Sequence, residues 1–322
     1  MRRLLRRSTF RARLAGASLA LVAAPGTLAP RAVLAWSHQG HMATGAIVHD
    51  ELARTSPALV AEIVRLMAAH PERARFDATL AGATGAARTR RLFELMARWP
   101  DDARGGPFDH PEWHYAVRVV SPVGGVLRFV TGEAEQAFGT QMASAARRDA
   151  PAAERAVALC WIMHLAGDIQ QPLHTATWVS LRFPRSDRAG TVGFVRAAPG
   201  GPAMQLHAYW DDALDRSGPL QPAVDALAAV ATARFPRAAL AELAPGPVGA
   251  PSFRAWMDEG VALARSHVYR DEALDLAPDS AAAPVLAAAY GASARALALR
   301  RLALAGYRIA DALRAALAGG PA

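Results

Sequence analysis

The segment CWIMHLAGDIQQPLH, residues 160–174, places two histidines and an aspartate at spacings that could bind metal ions. His164 and Asp168 are four residues apart, so a helix would put both on one face. A Gln-Pro pair would then end the helix, and His174 would point to a different ion. Imidazole nitrogen and carboxylate oxygen are both zinc ligands. A lone histidine in an apolar helix is usually a core residue, but burying an aspartate beside it without a metal would be costly.

Two further clusters contain the same residue types. In LHAYWDDAL, His207 and Asp211 repeat the four-residue spacing, although a chance pair on a surface helix would look the same. In RWPDDARGGPFDHPEWHY, Asp101, Arg104 and His114 lie among aromatic residues. This combination predicts a pocket for an anionic, planar ligand. A polar loop with incidental aromatic residues is the alternative.

The elements that position these clusters are predicted to be helical. Apolar residues recur at three- and four-residue spacing in seven segments. These segments are 43–53, 58–69, 86–98, 151–170, 221–233, 252–268 and 284–315. β-Branched residues cluster at 114–121 and 191–195, which could form a short hairpin or extended loops. Because no repeat or low-complexity linker divides the chain, the pattern predicts an all-α fold with a single mainly helical domain.

The first 35 residues have the layout of a secretory signal peptide. Six arginines between Arg2 and Arg13 precede a modest apolar stretch over 14–28. That stretch falls short of the roughly 20 residues that cross a bilayer, and an uncleaved amphipathic anchor is the alternative. Cleavage between Ala35 and Trp36 would make Trp36 the amino terminus of a periplasmic or secreted protein. The expected division is a signal peptide at 1–35 and one domain at 36–322.

The formal net charge of +8 does not predict a surface that binds polyanions. Seven of the 36 basic residues and none of the 28 acidic ones precede Trp36, so the rest of the chain has a formal charge of +1. Phosphate specificity would therefore have to come from a local site. The single cysteine, Cys160, lies in an apolar run and is expected to be a buried hydrophobic residue rather than a nucleophile.

The motifs WSHQGH, WPDDAR, WHY, HLAGDIQQPLH and LHAYWD, in this order, resemble those of the secreted trinuclear-zinc nucleases. These are the S1/P1 type of single-strand nuclease and 3′-nucleotidase, similar in fold to bacterial zinc-dependent phospholipases C. The resemblance spans residues 36–315. It implies a mainly helical domain of the zinc phospholipase C and zinc nuclease type, with at most a short β-hairpin.

The resemblance also implies three zinc ions per chain. The ligands of the first ion would be Asp101, His114 and His164. Asp168 would bridge this ion to a second one. The second ion would also be bound by His41 and by Trp36, through its free α-amine and its carbonyl oxygen. The ligands of the third ion would be His174, His207 and Asp211.

The implied catalytic residues are Asp101, Arg104 and Asp168. Two ions about 3.5–4 Å apart would activate a hydroxide that attacks phosphorus, and the third would stabilise the leaving 3′-oxygen. Arg104 would contact a phosphate oxygen, and Tyr115 would stack on a base. The substrates would be single-stranded DNA and RNA, cut endonucleolytically to 5′-phosphate products, and 3′-nucleotides. No stable membrane association after signal cleavage and no protein partner are implied.

Some residues depart from the family pattern, and two other functions stay open. Gln170 stands where a histidine is frequent, and DRAGTVG replaces the usual Gly-Gly-Asn, so base preference is not implied. A zinc-dependent phospholipase C would use the same metals. However, His41 follows Trp36 more closely than in the lipases, and Asp211 stands where those enzymes have glutamate. A non-catalytic zinc-binding helical protein is the second alternative.

Overall fold

The computed structural model describes residues 36–121, 127–214, 219–243, 246 and 248–318. These residues form ten α-helices and two small β-sheets, which confirms the mainly helical fold. The signal peptide predicted for 1–35 lies outside the described residues. No helix in the described part of the chain is both long and apolar enough to cross a membrane.

The helices follow the apolar periodicity of the sequence. They are α1 (His38–Thr55), α2 (Pro57–Met67), α3 (Arg73–Thr79), α4 (Gly85–Asp102), α5 (Ala134–Ala146), α6 (Ala152–Asp168), α7 (Leu206–Asp211), α8 (Leu220–Arg234), α9 (Ala250–Leu263) and α10 (Ala288–Leu317). Each of the seven predicted segments overlaps one of them. The apolar pattern did not predict α3, which is only two turns long, or α5, where small alanines blur the difference between the two faces.

The strands lie in two separate sheets. They are β1 (Val117–Val120), β2 (Leu127–Thr131), β3 (Ala176–Trp178), β4 (Phe194–Arg196) and β5 (Ala203–Gln205). β1 pairs antiparallel with β2 and parallel with β3, whereas β4 pairs antiparallel with β5. The segments 114–121 and 191–195 therefore do not form a hairpin with each other. Each contributes to a strand that pairs with the next strand along the chain, which closes a shorter loop.

Helix α1 lies at the centre of the fold and packs against α4, α8 and α10, while α6 packs against α4, α5 and α10. Two glycines allow close contact between these helices. A Cβ atom added at Gly45 would lie 2.4 Å from the carbonyl oxygen of Phe93 on α4. One added at Gly306 on α10 would lie 2.4 Å from Cγ2 of Ile47. The backbones of α4 and α10 can therefore approach α1 closely. Larger side chains at these two positions would push the helices apart.

Three helix ends meet at one side of this bundle. His41 lies in the first turn of α1, Asp101 in the last turn of α4, and Asp168 is the last residue of α6. The carbonyl ends of α4 and α6 carry partial negative charge, which favours a bound cation. Cys160 lies within α6 with no exposed surface, and burial raises the pKa of its thiol well above the ordinary value, as expected of a structural cysteine.

Candidate metal centre

The first group of polar side chains comes from four different elements. His41 belongs to α1, Asp101 to α4, and His164 and Asp168 to α6, while His114 ends a 3₁₀ turn over Pro111–His114. All five side chains are buried. The fold thus removes from water a set of charged and imidazole groups that could be adjacent only after folding.

The carboxylate of Asp168 lies between three imidazoles. Its Oδ1 is 3.2 Å from Nε2 of His41, and its Oδ2 is 3.1 Å from Nδ1 of His114 and 3.2 Å from Nε2 of His164. Because the two oxygens face different histidines, this carboxylate has the arrangement needed to contact two ions.

Asp101 faces the same imidazoles from the opposite helix. Its Oδ1 is 3.8 Å from Nε2 of His164, and its Oδ2 is 3.7 Å from Nε2 of His41. The ligand atoms form two overlapping groups, each within 4.8 Å: His41 with Asp101 and His164, and His114 with His164 and Asp168. The resemblance had placed His41 and Asp101 on different ions. Which residue binds which ion stays a prediction, since His41 is near both carboxylates.

Several buried atoms of this group make no hydrogen bond within the described residues. They are both ring nitrogens of His41, Nε2 of His114, Oδ2 of Asp101 and Oδ1 of Asp168. An unpaired polar atom in a protein interior is costly, and most such atoms have a partner. Unpaired nitrogen and carboxylate oxygen atoms that converge in this way fit a divalent cation such as Zn²⁺.

The charges of the group favour cation binding. Burial alone would raise the pKa of Asp168, but His164 and hydrogen bonds from His114 and His164 outweigh it and hold that pKa well below its usual value. Burial lowers the pKa of His164, but Asp168 and Asp101 raise it to about 9. Burial lowers the pKa values of His41 and His114. The carboxylates are therefore ionised and two imidazoles neutral, the forms in which they bind metals.

A second group contains His174, His207 and Asp211, whose ligand atoms also lie within 4.8 Å of one another. His174 ends a 3₁₀ turn directly after α6, and the other two residues lie on α7. Nε2 of His174 is 3.1 Å from Nε2 of His207, which is 3.6 Å from Oδ1 of Asp211. Burial lowers the pKa of His174 to about 4 and that of His207 to about 3. Both imidazoles are therefore neutral near pH 7.

Backbone carbonyls orient three of the imidazoles. Nδ1 of His174 is 2.6 Å from the carbonyl oxygen of His114, and Nδ1 of His207 is 2.7 Å from that of Ala189. Nδ1 of His164 is 2.9 Å from the carbonyl oxygen of Ala97. A carbonyl only accepts, so Nδ1 must donate, and in the neutral ring the lone pair is then on Nε2. Metal-binding histidines are commonly oriented in this way.

Trp36 lies beside both groups. The residue is 1% exposed, and its Nε1 donates to the carbonyl oxygen of Gly167 at 2.9 Å, one residue before Asp168. The next residue, Ser37, donates its backbone N–H to the carbonyl oxygen of Asp211 at 3.2 Å. Trp36 is therefore held near the metal ligands. The predicted use of its α-amine stays a prediction, because that amine exists only after cleavage.

A cavity of about 390 Å³ opens onto the two groups. Its lining includes Arg104, His114, Tyr115, His174, Arg188 and His207. Arg104 donates to Oδ1 of Asp101 through Nη2 at 2.8 Å and Nε at 3.2 Å, so its guanidinium lies next to a predicted ligand. Tyr115 donates its hydroxyl to Glu112 at 2.5 Å, and burial together with that bond raises its pKa to about 12. The tyrosine is therefore neutral near pH 7, and it forms part of the cavity wall.

The sequence did not reveal several contributors to the site. Gln171 donates to Oδ1 of Asp211 at 2.8 Å, whereas the sequence indicates only that it lies at the helix end. The carbonyls of Ala97 and Ala189 leave no signal in residue type. Arg188 was visible only within a segment that departs from the family pattern, and its position in the cavity wall required the fold.

A family model described as S1/P1 Nuclease matches residues 36–318. The match begins at Trp36 and includes every predicted ligand. A search of curated proteins found no match.

Proposed function

Because the chain belongs to the S1/P1 nuclease family, whose members hydrolyse phosphodiester bonds, we propose that its substrates are single-stranded DNA and RNA together with 3′-nucleotides. The polymers would be cut endonucleolytically to 5′-phosphate products. The proposed cofactor is Zn²⁺, with three ions per chain. The observation that carries this proposal is the convergence of two buried histidine and aspartate groups on one cavity.

The proposed ligand sets are those that the family resemblance implies. Asp101, His114 and His164 would bind one ion, and Asp168 would connect it to a second. His41 and the α-amine and carbonyl of Trp36 would complete the second site. The ligands of the third ion would be His174, His207 and Asp211. When bound, zinc lowers the pKa of a water molecule and stabilises negative charge on phosphate oxygens.

The protein's own side chains would hold the substrate. Arg104, held by Asp101, would donate to a phosphate oxygen. Tyr115 would stack on a base, a contact that tolerates any sequence. A base is free to stack in this way only when its strand is unpaired, which supports a preference for single strands.

The proposed location is the periplasm or the exterior of the cell. Residues 1–35 have the composition of a signal peptide, and the family match begins at the residue that would follow cleavage. Removal of that segment would also create the free α-amine that the second metal site requires.

A substrate panel tests the proposed function. The protein that begins at Trp36 should hydrolyse single-stranded DNA, single-stranded RNA and 3′-AMP, act more slowly on duplex DNA, and lose activity in a chelator. Asp101→Asn should abolish hydrolysis, whereas Asp102→Asn, which changes the neighbouring carboxylate that pairs with Arg98, should not. Hydrolysis of phosphatidylcholine alone would support the phospholipase alternative, and bound zinc without any hydrolysis would support a binding protein.

A further inference from the structure

The turn that follows β3 brings an additional arginine to the wall of the candidate active-site cavity. Arg188 lines this cavity together with Arg104, Tyr115 and His207. The two arginines differ in their surroundings. Arg104 forms an ion pair with Asp101 at 2.8 Å. Arg188 is exposed, and no ion pair or side-chain hydrogen bond involves its guanidinium within the described residues. Its charge is therefore available to a ligand.

The backbone of this turn is anchored by a buried carboxylate. Asp187 has no exposed surface. Its Oδ1 accepts from the backbone N–H of Trp178 at 2.8 Å, and its Oδ2 accepts from the hydroxyl of Tyr269 at 2.8 Å. Thr191 donates its hydroxyl to the carbonyl oxygen of Arg188 at 2.8 Å, closing the turn on the other side. The position of Arg188 is thus fixed by bonds that do not use its guanidinium.

The conformation of the turn is unfavourable for its residue types. Arg188 and Ala189 have φ values of 51° and 55°, in the left-handed region that non-glycine residues adopt only at a cost. The following Gly190 abuts the metal-binding helix, since a Cβ there would lie 2.9 Å from the backbone nitrogen of His207. Such strain persists where the surrounding structure enforces it, and it occurs often at functional sites.

We propose that Arg188 binds the phosphate of a nucleotide next to the one being hydrolysed, and so favours polynucleotide strands over 3′-mononucleotides. This inference rests on the proposed function. The cavity of about 390 Å³ is small among ligand pockets, so a longer strand must leave it across the rim. Among the residues that the structure describes, Arg188 is the exposed cation on that wall without an ion pair. Recognition of a base would require the guanidinium of Arg188 to be held in one orientation, whereas a contact with phosphate requires only its charge.

The test compares Arg188→Gln with Arg185→Gln, which removes an exposed arginine from the same segment but outside the cavity wall. At about 0.15 M salt, Arg188→Gln should raise KM for a single-stranded oligonucleotide about three- to tenfold, with kcat and zinc content unchanged. Its KM for 3′-AMP should stay within about twofold. Arg188→Lys should retain most of the wild-type affinity because the charge is kept.

A binding measurement tests the role of Arg188 independently of catalysis. Fluorescence anisotropy gives the Kd for a phosphorothioate-linked single strand across a salt series. The slope of log Kd against log salt concentration should be smaller by about 0.7 in Arg188→Gln than in the wild type. Three results would each overturn the proposal. Arg185→Gln could weaken strand binding as much as Arg188→Gln does, or Arg188→Gln could raise KM equally for 3′-AMP and for the strand. The third is a loss of affinity in Arg188→Lys that depends on the base. If the wild type binds the strand normally but does not hydrolyse it, the proposed function fails while the Kd values still decide the role of Arg188.

Discussion

Oδ1 of Asp168 lies 3.2 Å from Nε2 of His41, although Asp168 ends α6 and His41 lies in the first turn of α1. The other oxygen of Asp168 lies 3.1 Å from Nδ1 of His114. One carboxylate thus contacts imidazoles on both of its sides. Neither Oδ1 of Asp168 nor the ring nitrogens of His41 form hydrogen bonds within the described residues. This relationship makes Asp168 the residue whose loss should disturb the metal centre most.

Substitution of Asp168 tests this expectation. The wild-type protein that begins at Trp36 should contain about three zinc ions by elemental analysis. Asp168→Asn should reduce zinc content by more than one ion and lower kcat by more than about 100-fold, since loss of an outer-shell partner alone costs about 10–100-fold. Asp211→Asn should remove only about one ion, because Asp211 belongs to the separate group. Normal zinc content and turnover in Asp168→Asn would exclude the shared-ligand role.

The amino terminus provides a second prediction. An α-amine has a pKa of about 7.7–8.0 and must lose its proton to bind a metal, whereas an amide nitrogen has no available lone pair. Protein that keeps an extra methionine before Trp36 should therefore fold, lose about one zinc ion and lose most of its activity. Protein released at Trp36 by a protease should retain this zinc ion and full activity. Intact mass, zinc content and hydrolysis of single-stranded DNA check this. Equal zinc content and equal activity in the two preparations would show that the amine is not a ligand.

The aromatic ring of Tyr115 should matter more for polymers than for small esters. Tyr115→Ala should weaken binding of single-stranded oligonucleotides by about 1–3 kcal/mol, because a stacking surface is lost. Tyr115→Phe keeps the ring, loses only the bond to Glu112, and should bind almost normally. Hydrolysis of a small phosphate ester should be similar in all three proteins. Equal losses on both kinds of substrate would argue against stacking.

Gln171 should act on the third metal site by holding Asp211. It donates from Nε2 to Oδ1 of Asp211 at 2.8 Å in the interior. Gln171→Leu should weaken zinc binding at this site by about 10–100-fold, the usual effect of losing an outer-shell partner. Competition with a chromogenic chelator measures this affinity. Within the described residues the side chain of Gln171 bonds to Asp211 and Leu173 but not to the first group. The ions of the first group should therefore stay bound, and loss of all zinc would point to misfolding instead.

His70 should make stability depend on pH. It is 2% exposed, its Nδ1 accepts from the backbone N–H of Glu72, and burial lowers its pKa from 6.5 to about 4. Between these values the unfolded chain binds the proton more tightly, so stability falls as pH decreases from about 6.5 through about 4. Below about pH 4, the loss of unfolding free energy caused by His70 reaches about 3 kcal/mol.

A variant separates this effect from that of other histidines. His70→Gln should be less stable than the wild type at pH 7, and the difference in unfolding free energy should narrow toward pH 4. Urea unfolding at several pH values measures it. Parallel pH profiles for the two proteins would contradict the assignment to His70.

The sequence alone determined the helical fold, since apolar spacing is a local property and helix hydrogen bonds are local as well. It also determined the residue types of the site, because the i, i+4 pairs His164 with Asp168 and His207 with Asp211 align on any helix. Pro172, which follows the end of α6, separated His174 from the first pair.

Only the tertiary structure decided how these residues meet. The approach of His41 to Asp168, and the position of Asp101 opposite His164, depend on α1, α4 and α6 packing at their ends. The carbonyl of Ala189 and the guanidinium of Arg188 reach the site through a turn held by Asp187. Contacts between distant segments and bonds to backbone carbonyls have no periodic trace in the sequence, because they arise from packing rather than from local conformation.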